Sequence, residues 1–424
     1  LRDLGLHGMM IARNGETAAE VTVTPYRLDT PHTLNSLTKS FASTAIGFCV
    51  QEELLSLDSK VTSFFPERFP CRPCENMDKI TVRHLLTMTT GHTVEPYFWP
   101  SEQKPVDSFL RSYVAAEPGS GFLYNTAGSH MLSYIVEKVS GQSMEDFLRP
   151  RLLEPLGITN YVWERHPDGV CKSGVGLHLC TRDILKFGNF LLAEGVYGGE
   201  QLLGADWIRE ATRMHVIQPG DPGTDWTSGY GYQFWINARE DSYRADGAFG
   251  QFCIVVPKRG LVIACNSGTT DMGAMLNGIF DNLIPALEGN IPAQTELTAP
   301  LPEGVSQIPE KTYRLHPNPI GLERVAFGET VTMTINGREY PCAAGQGEWK
   351  LTDFPDGTPE ETRSLALAYG VKDGLTLLRV CQTRTPYVID WHIRFGADSV
   401  LIDCKANVGF NNEFSAAVFG FAEG

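Results

Sequence analysis

Apolar and polar residues alternate near the start of the chain, and this alternation predicts two strands. The strands cover residues 7–12 and 19–26, and Asn14-Gly15 between them is typical of a hairpin turn. An apolar run at 41–50 then predicts a buried helix, for which Asn35 is the candidate N-cap. Helical patterns return in four later segments, at 80–91, 132–139, 174–194 and 271–288.

Strand patterns dominate towards the C-terminus. Before residue 290 they lie at 230–235, 252–257 and 261–264, and the last two form a hairpin through the turn 258–260. Residues 291–311 are rich in Pro, Gly and polar groups, which predicts a linker. Later strands at 331–335, 365–369 and 375–380 alternate with turns and no helical pattern, which predicts a small all-β, barrel-like domain. The expected organisation is an α+β domain at 1–290, a linker at 291–311 and an all-β domain at 312–424.

Composition narrows the possible partners. The chain has 424 residues, 42% of them hydrophobic, and a formal charge of −15, which describes a folded protein that nucleic acid and anionic membranes would repel. No apolar segment is long enough to cross a bilayer. The chain begins at Leu1 without a signal-peptide pattern, and we expect a trimmed or mature N-terminus.

Cysteine usage favours a reducing, cytoplasmic compartment, although the sequence does not fix the location. Cys49, Cys253 and Cys265 lie in apolar runs that are typical of buried free thiols. The pair Cys71 and Cys74 lies in a polar loop without a second ligand pair, so we expect a structural loop rather than a zinc site.

Candidate chemistry begins at Ser36 and Lys39, which are three residues apart at the start of the predicted buried helix. This spacing places both side chains on one helix face. A serine hydroxyl needs a base to become a nucleophile, and a lysine whose ammonium is desolvated has a lowered pKa and can accept that proton. The Ser36 N–H can also donate to a developing oxyanion. Ser-x-x-Lys alone is a common chance match, so its meaning depends on the motifs that follow.

Three such motifs follow in order, at 82–91, at Tyr124-Asn125-Thr126, and at the segment 246–251 before a strand. With Ser36-Leu37-Thr38-Lys39 they resemble the serine β-lactamase-like superfamily, in the branch of class C β-lactamases, D-alanyl-D-alanine carboxypeptidases and related esterases. The resemblance implies an antiparallel sheet flanked by helices with a helical subdomain over residues 7–290. It also implies Ser36, Lys39 and Tyr124 as the catalytic set.

The chain departs from the family pattern in two places. Thr126 stands where the family usually has asparagine, and Asn125 is the candidate substitute. The third motif lacks a lysine or histidine, and Asp246 is the nearest candidate for its first position. An aspartate there would repel a substrate carboxylate unless Arg244 reaches in, so we expect weak or no β-lactam turnover.

The resemblance implies substrate contacts by six residues, namely Asn125, Thr126, Asp246, Gly247, Gly250 and Gln251. We expect a serine hydrolase that acts through an acyl-enzyme on an ester, amide or small peptide, with no metal or organic cofactor. The backbone N–H groups of Ser36 and of residues 249–251 would form the oxyanion hole. The alternative is a non-catalytic penicillin-binding-protein-like sensor or binding protein, which the altered second and third motifs favour. The expected partner is a small molecule or short peptide, and the oligomeric state stays open.

Overall fold

The computed structural model describes residues 1–69, 73–96, 105–221, 223–289, 292–304, 307–354, 363–411 and 414–423. Contacts divide the chain into two compact units. One comprises residues 10–19 and 33–265, and the other comprises residues 1–9, 20–32 and 266–424. The predicted division at 290 and 311 stays a prediction.

The α-helices lie mainly in the unit of residues 33–265. They are α1 (Thr38–Gln51), α2 (Val82–Leu86), α3 (Pro105–Leu110), α4 (Thr126–Ser140), α5 (Met144–Leu148), α6 (Thr181–Leu192), α7 (Ala205–Thr212), α8 (Met272–Asn277) and α9 (Ile284–Ala286). Single 3-10 turns lie at Arg2–Leu4, Asn35–Leu37, Val61–Phe64, Pro66–Arg68, Met77–Lys79 and Pro257–Arg259, and π-helical turns at Arg149–Leu153 and Gly278–Leu283.

The strands fall into an N-terminal and a C-terminal group. The first is β1 (Leu6–Arg13), β2 (Glu16–Thr24), β3 (His32–Thr33), β4 (Val162–Trp163), β5 (Leu177–Leu179), β6 (Val196–Tyr197), β7 (Glu200–Gln201), β8 (Trp235–Ile236), β9 (Tyr243–Gly247), β10 (Gln251–Val256) and β11 (Leu261–Ser267). The second is β12 (Gln294–Thr298), β13 (Lys311–Leu315), β14 (Leu322–Phe327), β15 (Val331–Ile335), β16 (Arg338–Cys342), β17 (Ala344–Gln346), β18 (Lys350–Phe354), β19 (Arg363–Lys372), β20 (Leu375–Gln382), β21 (Val388–Phe395), β22 (Ser399–Ala406) and β23 (Ala416–Ala422).

In the unit of residues 33–265, helices pack on antiparallel strands. Strand β10 lies between β9 and β11, with Phe252 opposite both Asp246 and Cys265, and β8 continues the sheet beyond β9. Helix α1 is buried from Thr38 to Cys49, and its sequence places Ser40, Ser43 and Thr44 among apolar residues. Its Phe41 stacks on Phe187 of α6, with ring centroids 4.0 Å apart. The helix that carries Lys39 is therefore held on all sides.

The unit that contains residues 266–424 is mostly sheet. Strands β13 to β23 form a mainly antiparallel, nearly closed, barrel-like sheet, in which β17 pairs in parallel with β19. Alternate residues face one interior, where Tyr313, Ile393 and Ile402 are fully buried. In the same unit β12 pairs in parallel with β2, with Gln294 opposite Glu20. The α+β class with an all-β, barrel-like C-terminal part is confirmed.

Several local predictions are confirmed. Asn14 and Gly15 both have positive φ, as a tight turn between β1 and β2 requires. Strands β10 and β11 form the expected hairpin, and α8, a π turn and α9 run on through residues 272–286. Cys49, Cys253 and Cys265 are buried free thiols. Cys71 and the aromatic residues Tyr97, Phe98 and Trp99 lie outside the described residues.

Three local predictions are wrong. Asn35 is not an N-cap, because it lies in the 3-10 turn ahead of α1 with φ +50° and its amide bonds another segment. The predicted helix at 174–194 spans only 181–192, because residues 177–179 pair as β5 with β4. Of the predicted strand 230–235, only its end enters β8.

Within the described residues, no helix is long and apolar enough to cross a membrane.

Candidate active site

Ser36 lies in the 3-10 turn Asn35–Leu37, which runs directly into α1. The residue before it, Asn35, takes a left-handed backbone conformation with φ +50°, which asparagine tolerates better than most residues. The Asn35 side chain donates to the carbonyl oxygen of Ala248 at 3.0 Å and so fastens the turn to the hairpin between β9 and β10. Ser36 itself is half-buried, so its hydroxyl is held in place and reachable.

Lys39 lies one helical turn further along and is only 1% exposed. Its Nζ donates to Ser36 Oγ at 2.9 Å and to the Gly174 carbonyl oxygen at 2.8 Å. Burial lowers the pKa of Lys39 to about 7, although the charges of Glu95 and Asp246 act to raise it. A large share of these lysines is therefore neutral near pH 7, which is the state a general base needs.

Tyr124 approaches the same hydroxyl from the segment before α4. Ser36 lies close enough to act on the pKa of the Tyr124 phenol, and the Lys39 Nζ lies 5.0 Å from the centre of the Tyr124 ring. Burial raises the pKa of Tyr124 well above its ordinary value, and the smaller effects of Ser36 and Arg244 do not reverse the shift. The phenol therefore stays protonated at neutral pH. Its ring stacks on Trp235, with centroids 5.7 Å apart.

Asn125 and Thr126, the next two residues, make different contacts. Asn125 is fully buried and caps α4, because its Oδ1 accepts from the Gly128 N–H at 2.8 Å and its Nδ2 donates to Thr90 Oγ1 at 3.3 Å. Both ends of the amide are thus used inside the protein. Thr126 is the first residue of α4, and its methyl group packs beside Gly174, where an added Cβ would lie 2.7 Å from it. The glycine lets its own carbonyl come close enough to accept from Lys39.

Glu95 is also part of the site, although the sequence analysis did not identify it. Its Oε1 accepts from the backbone N–H of Thr126 and, at 3.3 Å, from that of Ala127. A carboxylate is favoured there by the positive end of the α4 dipole. The carboxylate also acts on the pKa values of Lys39 and Tyr124. A single Glu in a loop has no periodicity or motif, so no sequence signal marks it.

Asp246 is buried at the end of β9 and is paired with a cation of its own strand. Arg244, which is fully buried, donates through Nε to Asp246 Oδ2 at 2.8 Å. Burial raises the pKa of Asp246, against the arginine, which lowers it. The Arg244 guanidinium lies 5.0 Å from the Trp226 ring and 5.8 Å from the Trp235 ring. The third motif thus presents an ion pair rather than a free cation.

The remaining predicted residues form the tight turn from β9 to β10. Gly247 faces Gln251 across the hairpin, and Gly250 has φ +87°. A Cβ on Gly247 would collide with the carbonyl oxygen of Leu34, so glycine lets β9 approach the chain just before Ser36. Gln251 is fully buried, and its Nε2 donates to the Ala248 carbonyl at 3.3 Å.

The arrangement brings a serine hydroxyl, a lysine amine and a phenol together. Lys39 Nζ donates to Ser36 Oγ, Tyr124 lies beside them, and the hairpin turn lies against the Ser36 turn. Asn125 instead serves the helix cap. Among the described residues no cluster of His, Cys, Asp and Glu could hold a metal ion.

Comparison with known proteins agrees with this geometry. The sequence profile of the Beta-lactamase family matches residues 5–276. The chain is 30% identical over 167 residues to lovastatin esterase of Penicillium rubens, covering 32% of this chain and 40% of the relative. It is 25% identical over 213 residues to monacolin J acid methylbutanoyltransferase of Aspergillus terreus, covering 43% and 50%. The chain spans about half the length of such curated relatives, which include esterases, acyltransferases and a β-lactamase.

One solved structure resembles the whole chain. The octameric penicillin-binding protein homologue of Pyrococcus abyssi superposes with a TM-score of 0.54 at 18% identity, over 99% of this chain and 96% of the other. At that identity the likeness concerns the fold alone, and it extends through the C-terminal strands.

Proposed function

The chain belongs to the Beta-lactamase family, and we propose that it is a serine hydrolase that cleaves esters, amides or short peptides through an acyl-enzyme on Ser36. One observation carries the proposal. Ser36 Oγ accepts from a buried lysine whose pKa is lowered to about 7, beside a tyrosine that stays protonated. The relatives named as esterases and acyltransferases support acyl chemistry of this kind.

In the proposed reaction, Ser36 Oγ attacks the acyl carbon and its proton passes to neutral Lys39. The Ser36 N–H and an N–H of residues 249–251 stabilise the oxyanion. Tyr124 donates its proton to the leaving alcohol or amine and regains one from the Lys39 ammonium. Water then attacks the acyl-enzyme, loses a proton to the same pair of groups and releases a carboxylic acid. Serine is regenerated, and no cofactor enters the balance.

We propose weak or no β-lactam turnover for an electrostatic reason. A substrate carboxylate would meet Asp246, whose partner Arg244 is already engaged, and the carboxylate of Glu95. Two carboxylates at a site disfavour a third anion and favour neutral or amine-bearing substrates.

The test is intact-mass analysis after incubation with a fluorophosphonate, followed by peptide mapping. We expect one adduct on Ser36 and none in the Ser36→Ala variant. Ser63→Ala is the matched control, because its exposed hydroxyl only donates to a backbone carbonyl nearby. Folded protein that takes up no adduct would favour the non-catalytic alternative. If Ser36 is labelled, a screen of p-nitrophenyl esters, D-amino-acid peptides and a chromogenic cephalosporin would define the substrate. Efficient hydrolysis of the cephalosporin would contradict the proposed weak or absent β-lactam turnover.

A further inference from the structure

We infer that Glu95 is a positioning residue of the reaction, which fixes the start of α4 for Tyr124 and places a carboxylate charge at the site of Lys39. The inference rests on the proposed function, because it assigns Glu95 two effects on the groups that activate Ser36. The two effects depend on different properties of the carboxylate, its shape and its charge, so they can be separated by substitution.

The first effect follows from the hydrogen bonds. The first N–H groups of a helix have no partner within the helix. In α4, the N–H groups of Thr126 and Ala127 donate to Glu95 Oε1, and that of Gly128 donates to Asn125 Oδ1. Two caps, one local and one from a distant loop, therefore hold this end of the helix. Tyr124 lies two residues before the first of these N–H groups, so the Glu95 contact constrains the backbone that carries its hydroxyl.

The second effect follows from the charges that face Lys39. Besides Tyr124, whose ring centre lies 5.0 Å from Nζ, the titratable groups that face Lys39 come from three other segments. They are the carboxylates of Glu95 and Asp246 and the imidazole of His130. His130 is fully buried and its pKa lies well below the ordinary value, so it is neutral near pH 7. Asp246 is paired with Arg244. Glu95 forms no ion pair with any other described residue and lies half-buried, so its charge is the less compensated of the two carboxylates.

A glutamine at this position distinguishes the two effects. Its side-chain oxygen can accept from the same N–H groups, whereas its negative charge is gone. Without that charge the neutral form of Lys39 is favoured, and its pKa falls. Alanine removes both the charge and the cap. Glu95→Gln therefore tests the charge, and the comparison of Glu95→Gln with Glu95→Ala tests the cap.

The experiment measures the second-order rate constant of fluorophosphonate labelling of Ser36 over about 4 pH units, from about pH 5 to about pH 9. Thermal unfolding of each variant checks that it is folded. We expect the acidic limb of the Glu95→Gln profile to move down by about 1 pH unit, with a similar plateau at high pH. In Glu95→Ala we expect the plateau itself to fall about tenfold or more, because Tyr124 is no longer held in register. Glu117→Gln is the control, an exposed carboxylate that pairs with Lys79.

Each outcome decides one point. A Glu95→Gln profile that coincides with that of the wild-type protein overturns the charge effect. Plateaus in folded Glu95→Gln and Glu95→Ala that both equal the plateau of the wild-type protein overturn the positioning effect. A plateau that is equally low in both variants shows that glutamine does not replace the cap, and it overturns the separation of the charge effect from the positioning effect. Wild-type protein that is not labelled at any pH overturns the proposed function, and this inference with it.

Discussion

At the scale of single residues, the protonation states of Lys39 and Tyr124 decide which group takes the proton from Ser36. Burial acts on both but in opposite directions, because it disfavours the charged form of each. For Lys39 the charged form is the acid, so its pKa falls to about 7, whereas for Tyr124 the charged form is the base, so its pKa rises. In the proposed reaction lysine is therefore the base at neutral pH, and tyrosine is the proton donor.

This assignment predicts the pH dependence of acylation. Below about pH 7 Lys39 is mostly protonated, so the labelling rate should fall about tenfold per pH unit, and above pH 7 it should level off. Lys39→Ala should lower the plateau by about 100-fold or more. Lys258→Ala, at an exposed lysine, is the control. A rate that keeps rising to pH 10, the ordinary range of a phenol, would instead make Tyr124 the base.

A second residue-scale prediction concerns the pair Arg244 and Asp246. The arginine is fully buried, so Asp246→Asn leaves a buried cation without its counter-charge. We expect the free energy of unfolding to fall by about 3–5 kcal/mol. Urea denaturation would measure it, with Asp398→Asn as the control, because that pair with Lys311 is exposed and should change stability by less than about 1 kcal/mol. Equal stability of the two variants would contradict a buried ion pair.

At the scale of elements, the site depends on how closely the hairpin between β9 and β10 approaches the turn that precedes α1. Gly247 lies so close to the carbonyl oxygen of Leu34 that a Cβ would collide with it, and the amide of Asn35 links the turn to Ala248. The hairpin is also where the proposed second oxyanion donor lies. The distance between these two elements therefore controls the catalytic geometry, although neither contains the nucleophile's base.

Gly247→Ala should separate the two elements. The added methyl group collides with the Leu34 carbonyl, so β9 must move away from the Ser36 turn. We expect acylation of Ser36 to slow by about 100-fold while the protein stays folded, because a misplacement of about 1 Å is enough for such a loss. Gly328→Ala is the matched control, because a Cβ there meets nothing within 4 Å. An unchanged acylation rate in Gly247→Ala would show that the hairpin does not contribute to the site.

At the scale of the whole molecule, the chemistry and the barrel-like sheet belong to different compact units. Among the described residues, Ser36 and the two groups beside it, Lys39 and Tyr124, lie between residues 33 and 265. The core of the C-terminal sheet, with Trp391 3% exposed, lies in the other unit. That unit also includes residues 1–9 and 20–32, so it is built from both ends of the chain.

Trp391→Ala should therefore affect stability rather than chemistry. Removal of a buried indole costs about 3–5 kcal/mol, which thermal or urea unfolding would reveal. We expect the rate of Ser36 labelling, measured on the folded protein at room temperature, to stay unchanged. Phe421→Ala is the control, because that ring is 54% exposed. A fall in the labelling rate of folded Trp391→Ala would show that the sheet affects the site.

The sequence by itself determined the features that depend on neighbours along the chain. The Ser36 and Lys39 spacing, the Asn14-Gly15 turn and the strands of the C-terminal sheet follow from periodicity and turn chemistry, which are local. The order of the motifs also identified Tyr124 ahead of α4. The boundaries near Asn35 and residue 177 failed because contacts with Ala248 and with β4 override the local preference.

Only the tertiary structure decided which distant groups contact these residues and how their pKa values shift. Glu95 meets the first N–H of α4 across 31 residues, and the Gly174 carbonyl meets Lys39 across 135. The chain offers no signal for such contacts, because they arise from how distant segments pack. Burial itself, which lowers the pKa of Lys39 and raises that of Tyr124, is a property of the packed interior. The sequence thus named the candidate catalytic groups, and the packing of distant segments determines which of them holds a proton near neutral pH.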